Sequence, residues 1–278
     1  MDFAGKRTDL ASESAQSVSS EGGLPEGISV NVRKTSAFEI TEISVDSEEA
    51  AKRIGKPRGR YVTLETEARI ERRPENFEQC VYDLADEISA MIDSPESVLV
   101  VGLGNEDITP DSLGPRTAAH IFATRHIKSN APQLMSADLG EVCAITPGVM
   151  GQTGIEASEI VKTVCDAIKP SAVIAVDALA CSELSHLGKT VQLSNSGISP
   201  GSGVMNSRKE LSSELLGVPC IAVGVPTIAD LSQNGETLMV TPRSVDKMVG
   251  SSAQIISAAI NLALHRGMTL EEIISLTS

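Results

Sequence analysis

Val98-Leu-Val-Val-Gly-Leu-Gly104 runs directly into Asn105-Glu-Asp-Ile-Thr-Pro-Asp111, and Ala172-Val-Ile-Ala-Val-Asp177 repeats the arrangement further along the chain. Short runs of Val, Ile and Leu bounded by Gly, Pro and Asp read as strands buried on both faces of a parallel sheet. A third run, Cys220-Ile-Ala-Val-Gly-Val-Pro226, has the same character. Sheets of this kind place their working groups outside the carboxyl ends of the strands. Asp111 and Asp177 each fall at such an end and are therefore the first candidates for chemistry. The competing role is structural, because Asp after a strand also serves as a turn former or helix N-cap.

Helical patterns separate these strands. Asn76 to Ile92 carries Phe77, Val81, Leu84, Ala85, Ile88 and Ile92 at helical spacing, and Ile155 to Ile168 is amphipathic until Pro170 stops it. One helix is expected at about 115–127, another from Ser244 to His265, and a last one opened by the capping box Thr269-Leu-Glu-Glu272. Strands alternating with helices predict an α/β fold, a mostly parallel doubly wound sheet flanked by helices. Ile28–Val32 and Phe38–Val45 alternate with period two, and Tyr61–Glu65 is a further strand. These predict additional antiparallel strands near the N-terminus. Residues 1–27 are polar and rich in Gly and Ser, and read as a flexible leader before a single domain over 28–278.

Composition excludes several classes. The chain has 278 residues, 41% hydrophobic, with no run of eighteen apolar residues, which predicts a soluble protein that does not span a membrane. A net charge of −14 argues against direct nucleic-acid binding. With 2% aromatics and no Trp there is little to stack bases on. Met1 to Asp9 is too polar for a signal peptide. Cys80, Cys143, Cys165, Cys181 and Cys220 contain no C-x-x-C pair, so reduced, mostly buried thiols in a cytosolic protein are expected.

Gly102-Leu-Gly104-Asn105 begins like a dinucleotide turn but lacks the third glycine, having Asp at 107, and Pro110 and Pro115 break the helix a pyrophosphate needs. The glycines instead let the backbone turn tightly beneath Asp111. Ser194–Arg208 and Thr146–Gly154 are long loops, either solvated or substrate-gripping. His120, His126, His186 and His265 have no metal-ligand spacing, and all but His186 read as surface or capping residues. Asp138 and Glu141 follow another apolar stretch and are rival members of an acidic cluster.

Several long stretches share one likeness: Arg7-Thr-Asp-Leu-Ala11, Gly102-Leu-Gly-Asn105 with Thr109-Pro-Asp-Ser-Leu-Gly-Pro115, and Pro147-Gly-Val-Met-Gly-Gln-Thr-Gly-Ile-Glu156. It continues through Val173-Ile-Ala-Val-Asp-Ala-Leu-Ala180, Ser196-Gly-Ile-Ser-Pro-Gly-Ser-Gly203, Leu216–Thr227 and Met239-Val-Thr-Pro242. Together they resemble the germination protease family of spore-forming bacteria, endopeptidases that begin the degradation of small acid-soluble spore proteins. Some members carry a long insertion after the stretch matching Thr227–Asp230, which this chain lacks.

The resemblance implies a fold like that of hydrogenase-maturation endopeptidases, a self-processing zymogen, a homotetramer and a place in the cytoplasm of the forespore or spore core. It implies Asp111 and Asp177 as the catalytic pair, the first supported by the loop that holds Gly102, Gly104 and Asn105; Asp138 and Glu141 stay rival members of the acidic cluster on their position alone. It also implies cleavage after an acidic residue and before an apolar residue and Ala. Asp9-Leu10 is then the self-cleavage bond, releasing a propeptide of about residues 1–9, whereas Asp83-Leu84 is shielded in its helix. Two neighbouring carboxylates cannot both ionise cheaply, so one serves as base and the other as acid. No metal or other cofactor is expected for such a pair. Two other classes remain open: a metal-dependent maturation peptidase or amidohydrolase of the same fold, and a non-enzymatic nucleotide-binding module using Gly102 and Gly104.

Overall fold

The computed structural model describes residues 8–67, 69–70, 76–93, 95–131, 139–198, 210–231 and 238–277. The strands form one sheet in the order β1 (Ile28–Lys34), β2 (Glu39–Val45), β3 (Gly59–Glu65), β7 (Thr190–Ser194), β8 (Cys220–Asp230), β6 (Ala172–Cys181), β4 (Ser97–Gly102) and β5 (Glu141–Ile145). A two-residue strand, β9 (Met239–Val240), pairs with β8. The core strands β5, β4, β6 and β8 run parallel, and every pairing from β8 through β7 and β3 to β1 is antiparallel. The N-terminal strands thus continue the main sheet, joined to it by β7, a strand that the sequence reading did not assign.

Alternation along the parallel strands assigns their side chains to two cores. Val98, Val100, Ile174, Val176, Ile221 and Val223 pack with α3 (Phe77–Met91) and α9 (Val245–Leu264). Leu99, Val101, Val173, Ala175 and Leu179 face the other way, against Val161 and Cys165 of α7 (Ala157–Ile168). Both faces are apolar, which is why these strands read as continuous hydrophobic runs. All five cysteines are free; four are buried and Cys143 is half-buried. Burial raises each thiol pKa, to about 11 for Cys80 and about 12 for Cys181 and Cys220. No helix among the described residues is long and apolar enough to cross a membrane.

Two sequence expectations change. The helix expected at about 115–127 is two, α4 (Leu113–Ala119) and α5 (Arg125–Asn130). Between them the Thr124 N–H donates to the Val142 carbonyl at 2.8 Å and the Thr124 hydroxyl accepts from the Val142 N–H at 2.9 Å, so the chain there is tied to β5. The expected flexible leader is also folded where it is described: Ala11–Gly22 is a helix, α1. Its apolar positions are Ala11, Ala15 and Val18, a narrow stripe at helical spacing that polar composition conceals. Ala11 and Ala15 pack with Ile43, Val45 and Tyr61 of the antiparallel strands and with Ala50 and Ile54 of α2 (Glu48–Ile54).

Leu10, which precedes α1, is fully buried among Leu99, Val101, Leu103 and Leu187. Leu10→Ala is expected to lower the free energy of unfolding by about 2–5 kcal/mol, the usual cost of emptying a buried leucine site. Urea unfolding of the full chain measures it, and a change below about 1 kcal/mol would mean that the segment is not docked in solution.

Candidate active site

Asp111 closes a single 3-10 turn, Thr109–Asp111, between β4 and α4. Its Oδ2 accepts from the Asn105 N–H at 2.9 Å, so the loop folds back onto its own carboxylate. That close return requires glycine at 104: φ is +112°, and a Cβ there would stand 2.0 Å from the Asp111 carbonyl oxygen. The Thr227 hydroxyl at the far end of β8 donates to the Pro110 carbonyl at 2.7 Å. The Gln152 amide, in α6 (Met150–Thr153), donates to Asn105 Oδ1 at 2.9 Å and Asp107 Oδ2 at 3.0 Å. Cα atoms of the turn come within 8 Å of Cα atoms of both β6 and β8. Asp111 is half-buried, open enough for water to reach it.

Asp177 lies within β6 and is 3% exposed. Its Oδ1 accepts from the Ala178 N–H at 2.9 Å. On the strand it alternates with Val173, Ala175 and Leu179, so it faces the core that holds α7 and Leu10. Its neighbour Val176 touches the loop that carries Asp111. The Leu103 N–H donates to the Val176 carbonyl at 2.8 Å, and a Cβ on Gly114 would stand 2.4 Å from that same oxygen. The turn bearing Asp111 and the strand bearing Asp177 therefore converge at the first turn of α4, with Gly102, Gly104 and Asn105 in the joint.

The other predicted carboxylates are elsewhere or undescribed. Glu141 opens β5 and pairs with Ser97 at the start of β4, about 15 Å of strand from Gly102 at its end. Lys128 at 2.6 Å and Arg125 at 3.5 Å hold its carboxylate. It belongs to the opposite end of the sheet because it opens β5 instead of closing a strand. Asp138 lies outside the described residues. Among the described residues no three His, Cys, Asp or Glu side chains are grouped as a metal site.

Asp9 and Leu10 lie along the segment that follows Asp177. The Asp9 N–H donates to the Ala180 carbonyl at 2.8 Å, and the Ala180 N–H donates back to Asp9 Oδ2 at 2.8 Å. The Gln192 side-chain amide donates to the Asp9 carbonyl at 3.0 Å and accepts from the Ala11 N–H at 2.7 Å. Half-buried Lys56 donates to the Thr8 carbonyl at 2.8 Å; burial lowers its pKa, opposed by the charges of Asp9 and Glu13. Three residues on, the buried Glu13 carboxylate accepts from the Ser182 N–H, the Ser182 hydroxyl and the Glu183 N–H at 2.7–3.0 Å. Sequence reading missed Gln152, Thr227, Gln192 and Glu13. Of these, Gln152, Thr227 and Glu13 stood inside stretches singled out for their likeness, Glu13 in Thr8-Asp-Leu-Ala-Ser-Glu13, and Gln192 did not.

His186, the one histidine given a possible role, sits 3.8 Å from Glu13 and 2.5 Å from Glu65 of β3. The hydrogen bond to Glu65 raises its pKa and lowers that of Glu65. His265, expected at the surface or as a cap, is a fully buried cap: its Nε2 meets the Phe122 carbonyl at 3.0 Å, and burial lowers its pKa.

The sequence pattern of the germination protease family matches residues 6–233. The germination protease of Caldanaerobacter subterraneus subsp. tengcongensis is 39% identical, covering 96% of this chain and 97% of its own. That of Clostridium acetobutylicum is 36% identical over 96% and 97%. That of Bacillus licheniformis is 40% identical over 87% of this chain and 67% of its own. Among solved structures, the NiFe hydrogenase maturation protease HycI from Thermococcus kodakarensis KOD1 aligns with 63% of this chain and 98% of its own at 16% identity and a TM-score of 0.36, too distant to inform the site. A chain with these relatives is a protease. It belongs to the germination protease family.

The His186–Glu65 pair makes stability depend on pH. The raised histidine pKa contributes stability that is complete below its ordinary 6.5 and is lost as pH rises through the raised value. The lowered Glu65 pKa contributes stability that is complete above its ordinary 4.5 and is lost as pH falls through the lowered value. His186→Gln is therefore expected to lower the thermal midpoint most between about pH 4.5 and 6.5, and less as pH rises through the raised histidine pKa. Parallel melts of both proteins across that range check it; a difference that grows with pH would contradict the pairing.

Proposed function

We propose that this protease hydrolyses peptide bonds with Asp111 and Asp177 as a water-activating pair, and that it first cuts itself between Asp9 and Leu10. The observation that carries the reading is the docking of Asp9 beside the strand of Asp177, held by two hydrogen bonds to Ala180. An acidic residue followed by Leu and Ala is here bound, through its main chain and its carboxylate, near the carboxyl end of a core strand. That is where working groups of such sheets gather.

Amide hydrolysis needs a base to deprotonate water and an acid to protonate the departing nitrogen. Two carboxylates sharing one proton supply both. The pair titrates as a unit, so the roles belong to the pair. The substrates in this reading are the small acid-soluble spore proteins, cut after an acidic residue within the cytoplasm of the spore core. The chain is made as a zymogen, and the active assembly is a homotetramer. Asp83-Leu84 repeats the recognition dipeptide, but it lies inside α3 whereas Leu10 is extended, so a protease that needs an extended segment finds none at 83–84.

Asp111→Asn and Asp177→Asn are each expected to slow proteolysis by at least about 10²–10⁴-fold, the range for removing a general acid or base, while leaving the fold intact. Incubation of the full chain followed by N-terminal sequencing reads both parts of the proposal. The wild-type protein should acquire a new terminus at Leu10 in excess chelator as well as without it, and neither variant should. A terminus elsewhere would move the cleavage site. Normal processing by either folded variant would refute the pair.

A further inference from the structure

Gln192 stands in β7, a strand the two-carboxylate reading leaves unused. In the ladder Gln192 lies opposite Gly224 of β8, and Gly224 lies opposite Asp177 of β6. Residues directly opposite share a face of the sheet. The neighbours of Gln192 agree, since Val191 and Leu193 belong to the core of α3 and α9 on the other face. Gln192 and Asp177 therefore project from one face, two strand spacings or roughly 10 Å apart at their Cα atoms. Between them Gly224 has no side chain, and Leu179 leans over it; a Cβ there would stand 2.6 Å from Leu179 Cγ.

The N-terminal segment is gripped on this face. The Gln192 clamp spans one residue, Leu10, and its donor meets the carbonyl oxygen of the Asp9-Leu10 bond at 3.0 Å. The amide has one orientation available: the Ala11 N–H is a donor and must meet Oε1, which leaves Nε2–H for the Asp9 oxygen. Gln192 is 8% exposed, so both bonds form away from bulk water.

We propose that Gln192 is the oxyanion-stabilising residue for cleavage of the Asp9-Leu10 bond, an inference that rests on the self-processing reading above. Water attacks the Asp9 carbonyl carbon and passes a proton to the ionised carboxylate of the pair. The C=O π electrons move onto the Asp9 oxygen, where Nε2–H already donates. Collapse restores the carbonyl and breaks the C–N bond, and the Leu10 nitrogen takes its proton from the protonated carboxyl. One water is consumed and nothing is oxidised or reduced; the products are a fragment ending at the Asp9 carboxylate and a chain beginning at Leu10. A preoriented donor in a dry site is worth far more to a developing charge than the same donor in water. A neutral amide also keeps its proton over the whole range in which the carboxylates titrate.

Gln192 is also placed to act only as a clip that holds α1. Gln192→Glu separates the two roles, because it keeps length and the acceptor for Ala11 but removes the donor to Asp9. The full-length variant is expected to unfold within a few degrees of wild type yet form the Leu10 terminus about 10²–10³-fold more slowly, the usual cost of losing one oxyanion donor. Intact-mass time courses read the rate. Where Gln192→Glu does not fold, judged by circular dichroism, Gln192→Met is held to the same criterion. Asp177→Asn is run beside them. If it is inactive while the folded Gln192 variant processes at the wild-type rate, this inference falls and the carboxylate pair stands. If Asp177→Asn also processes normally, the pair itself is wrong and the inference goes with it.

Discussion

Backbone lies on backbone at Gly104 and Gly114, and the site depends on that exclusion of side chains. A Cβ at Gly114 would stand 2.2 Å from the Leu103 carbonyl oxygen and 2.4 Å from that of Val176. The first turn of α4 therefore rests directly on the end of β4 and the middle of β6. Gly104 admits the Asp111 turn in the same manner. These approaches and the Asn105 N–H bond to its carboxylate together position Asp111. Thr227 and Gln152 then brace the turn and its loop from two other elements. Positioning of this kind places a functional group on the rigid sheet through only a few residues of loop.

The segment after Asp177 serves the N-terminus along its whole length. Ala178 bonds the Asp177 carboxylate, Ala180 binds Asp9 in both directions, and Ser182 and Glu183 hold Glu13. Parallel side-chain grips come from Gln192, Lys56 and His186 on other elements. Residues 8–13 are thus tied to the sheet's end, although composition gives no sign of it. Glu13 shows why. A buried carboxylate is costly unless hydrogen-bonded, and here three donors meet it, none of them identifiable without the fold.

The parallel core was legible because its strands are buried on both faces and its helices repeat apolar residues every three or four positions. β4, β6, β8, α3, α7 and α9 all follow from that periodicity. Apolar runs closed by Asp drew attention to Asp111 and Asp177, although β6 continues past Asp177 to Cys181, and the glycine pattern pointed to the tight turn beneath Asp111. β7 was not legible: Thr190-Val-Gln-Leu-Ser194 is five residues long and adjoins a stretch rich in Ser and Gly. Its pairing with β3 and β8, each distant in sequence, is what makes it a strand. Gln192 was invisible for the same reason, since a lone glutamine belongs to no motif and its meaning lies in its ladder partners. Glu141 misled because carboxylates near an apolar run look alike at either end of a strand.

The five thiols bear on how the protein ages. A thiol reacts as its thiolate, and an exposed cysteine is a few per cent ionised near neutrality. At a pKa of about 12, as for Cys181 and Cys220, that share falls to roughly one part in 10⁵. Oxidants and electrophiles that reach the chain must then wait for a local opening before they find a nucleophile. The core that holds the strands in register thereby also shields Cys181 and Cys220 from such chemistry while the chain stays folded.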